Sequence, residues 1–262
     1  MRYLKLTCLL MAVLLLMNSC SHVDESERFI YVEPASVNRA VLIEDFTGQR
    51  CVNCPNASEE IELLTEQYGE DNIIAVSIHS GPLAVYSQNQ VVGLRTELGD
   101  TYYDHWKVEV EPSALINRKS GVVTLNQWSA LVYDELQVQT YMSLGLDCRL
   151  TETGDISIAV HAEALESVQG RLQVWLTEDG IVAPQMMPDG TMNSVYEHRH
   201  VLRATVNGVW GDEVSWKPGE VSGIQYTVRP QAEWDVEHLS VVAFVYNSEG
   251  VLQVVRDYVS KR

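Results

Sequence analysis

Val41-Leu-Ile-Glu-Asp-Phe-Thr-Gly-Gln-Arg-Cys51-Val-Asn-Cys54-Pro55 decides the reading of this chain. The apolar run Val41 to Phe46 reads as a buried strand, a Thr-Gly pair turns the chain, and two cysteines arrive at the start of an amphipathic segment. Two intervening residues place both sulfurs on one turn, within reach of a disulfide. The free N–H groups and the dipole of a helix N-terminus stabilise a thiolate there. Cys51 is the outer, attacking sulfur; Cys54, one turn inward, resolves the mixed disulfide. A closed structural disulfide is a competing reading. Half of a zinc site is another, but structural zinc takes four ligands and catalytic zinc three, and no second Cys-x-x-Cys or spaced Cys/His pair follows.

Upstream, Met1-Arg-Tyr-Leu-Lys5 and the apolar Leu6 to Met17 form the basic and hydrophobic regions of a secretory signal over residues 1–19. The apolar stretch is too short for a membrane span. Asn18-Ser19-Cys20 then resembles a bacterial lipoprotein processing site, with Cys20 as the lipidated first residue of a tether over 20–38. Of the five cysteines, Cys8 leaves with the signal and Cys148, in an apparent strand, reads as a small buried hydrophobe. With 18 basic against 36 acidic residues the formal charge is −18, a balance that excludes nucleic-acid binding. The acidic Ser21–Glu27 stretch resembles the tags that direct some lipoproteins to the outer face of the outer membrane, and equally suits a solvated linker.

Downstream, Pro55 occupies an early helical position, and Ala57, Ile61, Leu64 and Tyr68 follow at helical spacing before Gly69. Ile73 to Ile78 reads as a second buried strand parallel to the first, and Tyr86 to Trp106 as a largely helical stretch interrupted at Gly93 and Gly99. A hairpin around Pro112 to Leu125 and a helix from Asn126 complete this part. From about Met142 the period changes to alternation, and seven or eight short strands separated by Gly-containing turns predict an antiparallel, immunoglobulin-like sandwich. His198 and His200, two apart on a predicted strand, share a face, but no third metal ligand is evident.

The order strand, helix, strand, helix, strand, strand, helix resembles a thioredoxin fold. Asp45 stands where thioredoxins carry the buried acid that exchanges protons near the inner cysteine, and Pro112, followed by Ser-Ala-Leu-Ile, is the candidate cis-proline beside which an extended substrate pairs. Arg50 replaces the usual tryptophan before the first cysteine and favours a thiolate; Glu111 replaces an apolar residue and, with Glu59, Glu60 and Glu62, opposes it. The lipoprotein-like start, the Glu44 to Pro55 stretch, Pro112 to Arg118 and the His200-Val-Leu-Arg203 segment together resemble the outer membrane protein 28-related family of thioredoxin-like lipoproteins. That resemblance implies an α/β thioredoxin-like domain over 39–141, an all-β sandwich over 142–262, and a lipid-anchored place at the outer membrane, on its periplasmic or cell-surface face.

Two functions follow. In one, Cys51, Cys54, Asp45 and Pro112 form the catalytic set of a thiol-disulfide oxidoreductase acting on protein thiols or disulfides, without cofactor or metal. In the other, the cysteines staple a non-catalytic surface lipoprotein that binds a protein or other partner. Phosphate-binding glycine loops and nucleophile-His-acid sets are absent from the sequence.

Overall fold

The computed structural model describes residues 37–260, which belong to one compact unit, Ser36–Arg262. The signal, Cys20 and nearly all of the tether lie outside the described residues.

Strand β1 (Val37–Asn38) is followed by β2 (Val41–Thr47), helix α1 (Cys54–Tyr68), β3 (Ile73–His79), helix α2 (Glu97–Trp106), β4 (Ser113–Ile116), β5 (Val123–Thr124), helix α3 (Trp128–Leu136) and β6 (Gln139–Thr140). β2 and β3 pair in parallel from Val41 with Ile73 to Thr47 with His79, as strands joined through a helix must. β4 lies antiparallel on the other side of β2. Ala57, Ile61 and Leu64 are the buried stripe of α1, which ends where Gly69 adopts φ 92°.

The helix expected from Tyr86 is confined to α2. Before it the chain doubles back: Gln88 and Val91 exchange backbone hydrogen bonds of 3.3 and 3.0 Å. A Cβ on Gly93 would lie 2.1 Å from the Tyr86 carbonyl carbon, an approach open only to glycine. Thr96 then caps α2, its hydroxyl accepting from Gly99 N at 2.9 Å.

Ten strands follow: β7 (Met142–Leu150), β8 (Ile156–Ala164), β9 (Val168–Glu178), β10 (Ile181–Met186), β11 (Met192–His198), β12 (Val201–Thr205), β13 (Asp212–Trp216), β14 (Glu220–Val228), β15 (Leu239–Asn247) and β16 (Gly250–Tyr258). β7, β8 and β14 make a three-stranded sheet, and β10 with β11 a separate hairpin. The remainder does not form a sheet of its own. Strands in the order β16-β15-β9-β12-β3-β2-β4-β5, with β13 on β9, form one nine-stranded mixed sheet. β12 is the seam, antiparallel to β9 and parallel to β3 at Val201 with Ser77, where Ser77 N donates to His200 O at 2.7 Å. The architecture is therefore mostly β, built on a mixed sheet.

Side-chain alternation gives this sheet two apolar faces. Its inner face joins Leu42 and Phe46 of β2, Ile74, Val76 and Ile78 of β3, Trp175 of β9, Phe244 of β15 and Tyr102 of α2 in one core. The sheet curls around it, for Val251 N of β16 donates to Asn117 O, just beyond β4, at 2.8 Å. On the outer face, α1 and α3 cover Val41, Ile43, Ile73 and Ala75 at one end. The three-stranded sheet covers Leu172, Val174, Val241 and Ala243 at the other. Inside the inner core Glu44 and Arg118 pair through two bonds of 2.6 and 2.8 Å, with the guanidinium 4.8 Å from the Phe244 ring and 4.5 Å from that of Tyr246. Bidentate geometry and ring faces compensate charges that water has abandoned.

Candidate functional site

The alternation that places Val41 and Ile43 against α1 carries on through Asp45 and Thr47 in β2, and through Ser77 and His79 in β3. The two strands thus change from apolar to polar on the α1 side at their C-terminal ends, where α1 begins with Cys54. Cys51 and Cys54 form a disulfide with Cα atoms 5.4 Å apart, within the usual span. The Phe46 to Ser113 register sets Pro112 beside the end of β2, and the Glu111–Pro112 peptide bond is cis.

Asp45 is buried, and neither carboxyl oxygen has a hydrogen-bond partner among the described residues. Burial, then the charge of Glu111, pushes its pKa up to about 8. Glu111 is itself raised to about 7, chiefly by burial, with Arg95 opposing and Asp100 adding. Both carboxyls hold protons into the neutral range. The structure thus brings Asp45, Cys51, Cys54 and Pro112 to one end of the sheet, while Cys20 lies outside the described residues. Cys148 is buried and unpaired in β7, and burial pushes its thiol up.

Sequence reasoning did not find the cover over the dithiol. The β10–β11 hairpin lies across it, and each cysteine is only 2% exposed. Gln185 Nε2 donates to Cys51 O at 2.9 Å, and Met186 N donates to Gln49 O at 2.8 Å. Gln49 answers from the other side: its Nε2 donates to Pro184 O and Val92 O, both at 3.0 Å, and its Oε1 accepts from Leu94 N at 2.9 Å. The cover is held by these amide hydrogen bonds together with a small apolar contact in which Ala183 and Ile181 pack against Leu94 and Val201.

Beneath the hairpin a cavity of about 20 Å³ is walled by Cys54, Ser77, His79, Gln185, Tyr196 and His198. The His79 and His198 rings meet edge to face at 5.1 Å. Burial, reinforced by His198 and Arg203, holds His79 well below the ordinary imidazole range. Burial also brings His198 down to about 4, against the hydrogen bonds it makes to the Ala183 and Pro184 backbone. Both imidazoles are neutral near pH 7. The expected pairing of His198 with His200 on one strand face is not what forms. β11 ends at His198, and His200 sits in the following turn at φ 56°, its backbone N donating to Asp179 Oδ1 at 2.6 Å and its Nδ1 3.1 Å from that oxygen. Asp179 captures the turn and carries His200 away from the cavity. The sequence signal for His79 was its position at the C-terminal end of a largely apolar parallel strand, where α/β sheets place ligand and catalytic groups.

Among the described residues no group of three or more His, Cys, Asp or Glu side chains is arranged to hold a metal ion, and no helix is long and apolar enough to cross a membrane.

The family described as outer membrane protein Omp28 matches residues 99–262. Among solved structures, HBP35 of Porphyromonas gingivalis is similar over 86% of this chain and 76% of its own, with a TM-score of 0.67 at 15% identity; at that identity the likeness concerns the fold alone. A domain of the outer membrane lipoprotein Omp28 from Porphyromonas gingivalis is 26% identical over 47% of this chain and 91% of its own, with a TM-score of 0.33. No curated protein matches the sequence.

Proposed function

This chain belongs to the Omp28 family of outer membrane proteins, and on that premise we propose that it is a lipid-anchored thiol-disulfide exchange protein of the outer membrane. Cys20 carries the lipid once the signal over 1–19 is removed. Residues 39–141 serve as a thioredoxin-like unit and 142–262 as a sandwich-like partner to it. Cys51 attacks a substrate disulfide, Cys54 closes the ring, and Asp45 takes part in proton exchange behind the inner sulfur. Protein thiols or disulfides are the substrates, and no cofactor is needed. The observation that carries this reading is the disulfide at the head of α1 with a buried, protonated Asp45 on the strand behind it and Pro112 beside that strand's end. A staple would require the first of these and neither of the others.

A second reading rests on one observation, the 2% exposure of each cysteine beneath the hairpin. Here the disulfide is a closed staple in a surface protein that binds a partner. The reduction potential of the Cys51/Cys54 pair, measured in glutathione buffers with thiol trapping, separates the two. A value between roughly −120 and −270 mV supports exchange, and one below about −300 mV refutes it in favour of the staple.

A further inference from the structure

We propose that His198, and not Asp45, is the proton acceptor for the Cys54 thiol during ring closure, a role that rests on the exchange reading above and reassigns this one proton step within it. A neutral imidazole has one nitrogen that donates and one that accepts. His198 hydrogen-bonds to the Ala183 and Pro184 backbone, and its Nε2 has no hydrogen-bond partner among the described residues. The nitrogen that donates to those carbonyls is therefore Nδ1, and Nε2 holds the lone pair. His198 is 6% exposed, so bulk water does not serve that lone pair. What it shares is a small, narrow cavity with Cys54 on the wall. The volume, about 20 Å³, suits one water-sized group: room for a proton to pass, none for a substrate or cofactor.

The groups around His198 leave it this task. From β3 come Ser77 and neutral His79; from β2, Thr47; from α1, Ser58; from β11, Tyr196, with ring centroids 4.8 Å apart. Arg199 is engaged by Glu62 and Glu197, both at 3.1 Å, and Arg203 by Glu178 at 3.1 Å. No ionised carboxylate lines this cavity to take the Cys54 proton. The low affinity of His198 for a proton belongs to the disulfide state and keeps Nε2 free; a thiolate forming beside it raises that affinity by charge attraction.

The step balances as follows. The Cys51 thiolate attacks R–S–S–R′, forming a Cys51–S–S–R bond and expelling R′S⁻, which takes a proton from solvent. Cys54 S–H gives its proton to His198 Nε2, and the resulting thiolate attacks the Cys51 sulfur. The Cys51–Cys54 bond forms as the Cys51–S–R bond breaks, and RS⁻ leaves with the proton relayed from His198. The substrate gains two electrons from the dithiol and two protons, one from Cys54 through His198 and one from solvent; the protein, entering as a Cys51 thiolate and a Cys54 thiol, loses two electrons and one proton.

The test uses the intact protein and His198→Asn, whose amide keeps a donor for the Ala183 and Pro184 carbonyls and lacks Nε2. Reduced samples are mixed with glutathione disulfide, quenched in acid and weighed. At pH 7 the variant should accumulate the Cys51–glutathione species and close its ring at least about tenfold more slowly, the difference narrowing towards pH 9 as hydroxide takes over deprotonation. In parallel, the His198 Nε2 resonance of the unsubstituted protein should move when the disulfide is reduced, and should not in Cys54→Ala, with its single remaining active-site thiol, compared with the oxidised protein. Equal accumulation of mixed disulfide in both chains together with an Nε2 resonance indifferent to reduction would overturn the assignment. The reduction potential judges the exchange reading separately: a structural value with slow closure in His198→Asn would leave His198 as the group that closes a staple.

Discussion

Replacing Gln185 with alanine should loosen the cover over the disulfide without disturbing the sheet. Its Nε2 donates to Cys51 O at 2.9 Å and, more weakly, to Gly48 O at 3.4 Å. A neutral hydrogen bond contributes about 0.5–1.5 kcal/mol net, and a buried carbonyl left alone costs about 1–3 kcal/mol. Lifting the hairpin breaks the same bonds, so the variant should make opening easier by about 1–2 kcal/mol, or roughly 5–30-fold in the open population. The assay is the rate of Cys51–Cys54 reduction by dithiothreitol, followed by thiol trapping across low urea concentrations. If the hairpin alone lifts, the rate rises by that factor and depends on urea much more weakly than global unfolding does. A reduction rate whose urea dependence equals the global m-value would refute the reasoning, because the cover would then open only when the whole sheet unfolds.

Glu44→Gln should lower stability by about 3–5 kcal/mol, since it strands the Arg118 charge in the aromatic core; urea midpoints measure it, and a loss under about 1 kcal/mol would mean that the surrounding rings suffice. Asp45→Asn should flatten the pH dependence of stability. The folded chain holds the Asp45 proton to about pH 8 and the unfolded chain releases it near pH 4, so stability falls as pH rises through that window. The variant should therefore gain on the parent protein between pH 4 and 8; parallel stability curves from urea titrations would sink the claim.

Much of the site's first half was legible because it is local. Ala57, Ile61 and Leu64 fall at helical spacing, and the strands on either side begin as apolar runs, Val41 to Ile43 and Ile73 to Val76. The hairpin was illegible for the opposite reason. It is fastened by Gln49, Gln185 and backbone carbonyls, and hydropathy does not report amide pairs drawn together from positions far apart in the chain. The seam at β12 escaped too, since a single parallel backbone register leaves no mark on side-chain periodicity. His198 and His200 misled because alternation assumes an unbroken strand, and Asp179 bends the chain between them. The loop before α2 shows the same limit, with Gly93 needed by a contact to Tyr86 that spacing alone does not reveal.

The curled sheet also governs what evolution can do with this chain. A gene truncated after residue 141 would encode β2 and β3 with Leu42, Phe46, Ile74, Val76 and Ile78 stripped of Trp175, Val242 and Phe244, and with an open edge on β3. Such a product invites self-association before it invites folding. The two halves of the body therefore depend on one another for a closed core.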